Sequence, residues 1–299
     1  LVRLTFPLIV DLIRSIITHT GNERKMINCN TNRRENVRTI DGYLVLEARH
    51  EDYFQKHYTG ATITSRGHFT YGRYEVRLSM PVGKMLRASI FTRNQNQTDV
   101  IENSQIYIAS FGQGYVVNRE VHFAGNSPFQ SDNLPIVSTN NQSIDLHQFH
   151  LFGVEWNQKE VKFFFDDQYS KPIPLNQGLL VWICPQNPNW QNLFVERYLY
   201  PFQQISLQIG VGGISFQQAV PESFDDMKWV CPALLVDYVR VYEKVDHQNG
   251  THMHHCSTNH TEESLQETQI KNNICSATMA AYKRKTENRF KLSSVTFCK

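Results

Sequence analysis

The sequence predicts an all-β protein, on three observations. Short runs of alternating side chains recur, as in Tyr43-Leu-Val-Leu-Glu47, Tyr71-Gly-Arg-Tyr-Glu-Val-Arg77 and Ser104-Gln-Ile-Tyr-Ile-Ala-Ser110. Period 2 is the strand period, because successive side chains leave a strand on opposite faces. Gly, Pro, Asn and Asp separate the runs and mark turns. Phe and Tyr are abundant, at 18 and 13, and aromatic rings suit the pleated surface of strands.

With 299 residues the chain is long enough for one large β domain with appendages. The net charge is +2, and no basic concentration argues for nucleic acid. No phosphate-binding glycine loop is present. The chain does not begin with Met, which reads as a processed or fragmentary amino end.

Residues 1–27 form a first segment. Its apolar run from Leu4 to Ile17 is broken by Pro7, Asp11 and Arg14. That is too short and too charged for a membrane span, and a poor signal peptide. Leu8, Leu12 and Ile16 recur every four residues and predict a short helix after Pro7.

Residues 28–243 read as the main domain. Asp41-Gly42 is a tight-turn signal in front of the strand from Tyr43. A strand is expected over Phe69–Leu78, where Glu75 and Arg77 read as solvated or cross-paired face residues. Pro81-Val-Gly-Lys-Met-Leu-Arg-Ala-Ser-Ile-Phe91 leads towards the strand over Ser104–Ser110. Gly112 and Gly114 end that strand, and Glu120-Val-His-Phe123 follows. His147-Gln-Phe-His-Leu-Phe-Gly-Val-Glu-Trp156 and Val161-Lys-Phe-Phe-Phe165 predict a hairpin turning near Asn157-Gln158. Trp156 belongs in the core. Trp182 and Trp190, in a proline-containing polar loop, are candidates for stacking on a ligand. Tyr200-Pro-Phe-Gln-Gln-Ile-Ser-Leu-Gln-Ile-Gly-Val-Gly-Gly213 and Ala233-Leu-Leu-Val-Asp-Tyr-Val-Arg-Val-Tyr242 supply the last strands.

These segments, in this order over about residues 30–243, resemble glycoside hydrolase family 16, the laminarinase-like β-glucanases. The resemblance implies a jelly-roll sandwich of two antiparallel sheets, concanavalin A-like, with a glucan cleft on its concave face. The family carries Glu-Ile-Asp-Ile-x-Glu on its catalytic strand. Laid onto this chain, Gln105 stands at the nucleophile position, Tyr107 at the Asp position and Ser110 at the acid/base position. Retaining hydrolysis needs two carboxylates about 5–5.5 Å apart, and neither an amide nor a hydroxyl replaces them. The resemblance is therefore greatest to catalytically inactive members such as the β-1,3-glucan recognition proteins.

The first function expected is β-glucan binding. Candidate binding residues are Arg87, Phe91, Gln105, His122, Trp182, Trp190 and Gln208. Arg87 and Phe91 stand where the family usually has Trp, and Gln208 where it has Asn. His122 reads equally as a cleft residue and as a satisfied core histidine. Two other readings stay open: an active endo-β-1,3-glucanase with relocated acids such as Glu102 and Glu120, and an interaction module with a defunct cleft. In relatives an Asp at the Asp237 position can hold a structural calcium, although one carboxylate is not a site. No other cofactor is expected, and the partner is a polysaccharide rather than nucleic acid or a membrane.

Six cysteines allow 15 pairings. Cys184 and Cys231, both in loops of the main domain, make the best pair. Sequons at Asn96, Asn141, Asn249 and Asn259, taken with the cysteines and the resemblance, predict an extracellular, secreted glycoprotein. Residues 244–299 turn polar. His252, His254 and His255 beside Cys256 offer Zn²⁺ or Cu²⁺ ligands, but the composition reads as a solvated, disordered tail.

Overall fold

The structure, a computed structural model, describes residues 2–4, 13–15, 26–93, 104–112, 116–122, 130–131, 134–135, 144–175, 179–180, 194–195, 199, 202–212, 223–242 and 265–292. Among these, strands of four or more residues carry the fold. They are β1 (Val37–Ile40), β2 (Tyr43–Glu47), β3 (Arg49–Tyr53), β4 (Lys56–Ser65), β5 (Gly72–Ser79) and β6 (Leu86–Arg93). Then come β7 (Gln105–Phe111), β8 (Val116–His122), β9 (His150–Trp156), β10 (Glu160–Phe165), β11 (Gln204–Val211) and β12 (Ala233–Tyr242).

They form two sheets. The outer sheet runs β10-β9-β5-β12-β2-β1, and the inner sheet runs β8-β7-β6-β11-β4. Sequence neighbours are often not sheet neighbours: β6 lies between β7 and β11 although nearly a hundred residues of chain separate the last two. The main pairs are antiparallel; Asn28–Asn30 joins β4 in parallel.

The core lies between the sheets. Leu86, Ala88 and Ile90 of β6, Ile106 and Ile108 of β7, and Ile205, Leu207 and Ile209 of β11 point into it. They meet Tyr74, Val76 and Leu78 of β5, Phe152, Val154 and Trp156 of β9, and Leu234 and Val236 of β12. Each set takes alternate positions of its strand, so the hydrophobic pattern itself fixes which face is buried. Trp156 is 2% exposed and packs against Tyr71 and Tyr74, as a core residue should.

Local chemistry sets the turns. Asp41 and Gly42 both take positive φ, 49° and 87°, as a two-residue hairpin between β1 and β2 requires. Asn157 closes the β9–β10 hairpin: its Oδ1 accepts from the backbone N–H of Lys159 at 2.7 Å and of Glu160 at 3.1 Å. Gly153 is required by close approach, since a Cβ there would lie 2.0 Å from the Phe164 ring across the ladder.

The outer face of the outer sheet is an ion-pair lattice. Glu75 accepts from Arg73 at 2.7 Å, and Arg73 also reaches Glu155 at 2.6 Å. Arg77 donates to Asp237 and Glu267, both at 2.8 Å. Glu47 accepts from Arg38 at 2.5 Å and Arg49 at 2.6 Å. Arg77 is thus paired across strands with Asp237, whereas Glu75 pairs with Arg73 of its own strand and accepts from the Tyr242 hydroxyl across the ladder at 3.1 Å.

Three expectations from the sequence change. First, the polar tail is not wholly disordered: Leu265–Leu292 is a helix, α1. Ile270, Ile274 and Cys275 pack on Val45, Ala233 and Leu235 of the outer sheet. Lys271, 2% exposed, donates to the His147 carbonyl at 2.9 Å and to Gln148 Oε1 at 3.1 Å. Second, Cys231 bonds to Cys275 of this helix and not to Cys184, which lies outside the described residues. The helix brings Cys275 to the sheet edge, a proximity no sequence spacing encodes. Third, Ile13–Ser15 is a strand against β4, and Val2–Leu4 a strand against β12. The helix expected after Pro7 therefore does not extend over 13–15, and residues 5–12 lie outside the described set.

Two predictions follow from this packing. The Cys231–Cys275 bond closes a loop with a sequence separation of 44. Chain entropy for such a loop gives about 4 kcal/mol, and measured values run about 2–4. Cys275→Ser should lower unfolding free energy in urea by about 2–4 kcal/mol; an unchanged midpoint and slope would contradict helix docking.

His150 supplies a pH signature. Burial opposes its charge, but the Asp166 carboxylate at 2.9 Å and the Asp145 carbonyl at 3.0 Å outweigh that and raise its pKa. A raised folded pKa means the stabilisation is fully present below the unfolded value of about 6.5 and is lost as pH rises through the folded one. Against His150→Gln, the wild type should gain about 1–2 kcal/mol at pH 5.5 and progressively less towards pH 9. A pH-independent difference would remove the ion pair from the account.

Candidate functional site

The side of the inner sheet turned away from the core is a polar face, and register assembles it in rows. On β6, Leu86, Ala88 and Ile90 are core residues, so Arg87, Ser89, Phe91 and Arg93 occupy the opposite face. On β11 the same rule places Gln204, Ser206, Gln208 and Gly210 there. On β8, Val117 and Val121 face inward, leaving Asn118, Glu120 and His122.

Strand β7 departs from simple alternation. Gln105 and Tyr107 alternate with the core residues Ile106 and Ile108, but the register shifts between Tyr107 and Ser110. Ile108 and Ala109 both enter the core, and Ser110 returns to the side of Gln105. Strict alternation puts Ser110 with Ile106; the bulge overrides it. Ser110 Oγ lies 3.1 Å from Ser89 Oγ on the neighbouring strand.

Three rows result. Gln204, Arg93, Gln105 and His122 are in register across β11, β6, β7 and β8. Ser206, Phe91, Tyr107 and Glu120 form the second row. Gln208, Ser89, Ser110 and Asn118 form the third. With strands about 4.8 Å apart, each row is roughly 15 Å long. That suits an extended ligand lying across the strands.

The middle row is aromatic. The Phe91 and Tyr107 rings stack at 5.3 Å with planes 25° apart, and His122 packs against Tyr107 at 5.2 Å. Phe91 is 6% exposed, whereas Tyr107 is half-buried. His122 Nε2 lies 2.8 Å from Glu120 Oε2. On β4, β6, β7, β8 and β11, Glu120 is the one carboxylate on this face among the described residues.

Polar groups at the margin are tied to one another. Arg93 donates to Thr64 Oγ1 at 3.1 Å, and Thr64 shares a 2.9 Å hydrogen bond with Ser206. Burial pushes the Arg93 pKa down. Gln203 Nε2 donates to Ser104 Oγ at 3.2 Å, which fastens the start of β7 to the start of β11.

Arg87, Phe91, Gln105, His122 and Gln208 therefore share one face with Tyr107 and Ser110, as the sequence suggests. His122 is a cleft residue, not a core one. Trp182, Trp190, Glu102, Asn96, Asn141, Asn249 and Asn259 lie outside the described residues. Asp237 sits on the other sheet, where Arg77 places a guanidinium 2.8 Å from its carboxylate. That partner, shared with Glu267, does not fit a calcium site at Asp237. Arg93 is the addition that geometry makes to the site, and Glu120, expected from the sequence as a relocated acid, shares the face with it. The signal for Arg93 was its phase, shared with Arg87 and Phe91 on one strand.

Comparison with known proteins agrees with this arrangement. Residues 24–195 match the model of glycosyl hydrolases family 16. A β-glucanase of Rhodothermus marinus is 31% identical over 233 residues, covering 71% of this chain and 72% of that protein. The laminarinase structure from Rhodothermus marinus superposes with a TM-score of 0.62 at 27% identity, covering 78% of this chain and 91% of that one. The clotting factor G alpha subunit of Tachypleus tridentatus is 24% identical over 216 residues, covering 71% of this chain but only 29% of that larger protein. The sandwich, the ordered motifs and these matches together make the chain a member of glycosyl hydrolase family 16.

Proposed function

We propose that the inner-sheet face binds a β-glucan or related polysaccharide without hydrolysing it. One observation carries the reading: Gln105, Tyr107 and Ser110, which the resemblance lays onto the family's catalytic positions, share one face, and none is an acid. Retaining chemistry needs one carboxylate to attack and a second to pass the proton. Glu120 offers one acid at most, and it is paired with His122.

The same residues suit binding. The Gln105 amide can donate to one sugar hydroxyl and accept from another. Tyr107 gives an apolar ring face with a polar tip, and Phe91 stiffens it from below. Ser110 and Ser89, both buried, share a hydrogen bond that ties the floor of the face together. The similarity to the clotting factor G alpha subunit, whose name is not that of a glucanase, is compatible with this reading. A secreted location is part of the proposal, and the Cys231–Cys275 disulfide supports it, since such bonds persist in oxidising compartments.

A second reading keeps hydrolysis, with Glu120 as one of two relocated acids. Its position opposite Tyr107 in the register is the observation in its favour.

Incubating the full chain with laminarin separates the readings. The expected outcome is retention of the polymer with no release of reducing ends, and binding about five- to tenfold weaker in Tyr107→Ala. Reducing ends that persist through repurification and vanish in Glu120→Gln would establish the relocated-acid enzyme instead. Neither retention nor cleavage would leave the sandwich as an interaction module.

A further inference from the structure

The glycan-facing side carries two guanidinium groups with little to balance them. Arg93 lies between Gln204 and Gln105 in the first row. Its one hydrogen-bond partner among the described residues is the neutral Thr64 hydroxyl. Burial disfavours its charge, and no carboxylate offsets that burial among the described residues. Arg87 stands six positions earlier on the same face, and its Nε is buried without a hydrogen-bond partner among the described residues. The nearby acid, Glu120, faces His122.

Arginines elsewhere in this protein behave differently. On the outer sheet, Arg38, Arg73 and Arg77 each meet at least one carboxylate within 2.8 Å. Arg93 and Arg87, on the candidate binding face, meet no carboxylate in this way among the described residues. A partly desolvated cation without a counter-charge is costly, and an anion supplied from outside relieves that cost. A guanidinium presents paired N–H donors in a plane, which matches the oxygens of a carboxylate or sulfate.

We propose that this face selects glycans bearing an anionic substituent, a sulfate ester or a carboxylate, with Arg93 as the principal selecting residue and Arg87 as the second. The inference rests on the glycan-binding reading above and names the ligand class. Arg93 sits in register beside Gln105, so one substituent could take the guanidinium fork while the sugar hydroxyls take the amide. A neutral glucan would leave both arginines without a carboxylate partner among the described residues.

The test measures affinity of the full chain for three polymers on one backbone: laminarin, sulfated laminarin and laminarin carboxylated at C6. At low salt the wild type should bind at least one anionic polymer about tenfold more tightly than laminarin, and that arm names the substituent. The ratio should shrink with added salt. Arg93→Gln should bring it to within about twofold of unity, with Arg93→Lys between, because lysine keeps the charge and loses the fork. Arg87→Gln should lower it independently. Lys162→Gln, on the outer sheet, serves as the control for net charge and should leave it in place. Equal affinity for neutral and anionic polymers would overturn this inference while leaving glycan binding intact. A preference that survives both arginine variants, or falls equally with Lys162→Gln, would overturn it as well. Failure to bind any of the three polymers would overturn glycan binding itself.

Discussion

The bulge in β7 is the constraint on which the site depends. A strand in the middle of a sandwich must keep its apolar side chains in the core, and period 2 leaves it no freedom to do otherwise. Ile106, Ile108 and Ala109 are all fully buried, which strict alternation forbids. One extra residue between Tyr107 and Ser110 resolves the conflict. It brings Ser110 onto the face that already holds Gln105 and Tyr107, next to Ser89. Three ligand-facing positions then lie on one strand while the core beneath stays closed.

Charge is distributed unevenly between the two sheets. The outer sheet spends its ionic groups on one another, in the chains Glu75–Arg73–Glu155 and Asp237–Arg77–Glu267. These pairs are partly exposed, so each is worth little alone, but together they fix strand partners and seat α1. The polar face of the inner sheet has amides, hydroxyls and aromatic rings instead, with two arginines and one acid among the described residues. A surface of that kind suits the proposed hydroxyl-rich polymer through geometry and hydrogen bonding. Among the described residues it offers one acid, where retaining cleavage draws on two.

Much of the fold was legible in the residues. Asp41-Gly42 announced its hairpin, Asn157 its turn, and alternation placed Trp156 in the core. The face shared by Arg87, Phe91, Gln105 and Gln208 followed from strand phase and the family's motifs. What could not be read arose from long-range geometry. The bulge is invisible because Ser104–Ser110 alternates without interruption in the text of the sequence. Helix α1 was hidden because its buried face mixes types: Lys271, Ile274, Cys275 and Thr278 follow helical spacing, but two of the four are polar. Lys271 is buried because backbone and amide oxygens of the His147–Gln148 turn receive it. The Cys231–Cys275 bond depends on that docking, so its partner could not be chosen from spacing.

Hydrogen exchange of the full chain with and without a laminarin oligosaccharide, with the mass of the recovered sugar read in the same sample, tests the central claim most directly. The account predicts slowed exchange in residues 86–93, 105–111 and 204–211, no change in α1, and an oligosaccharide recovered at its original length. Shortened product, or protection confined to the outer sheet and α1, would contradict it.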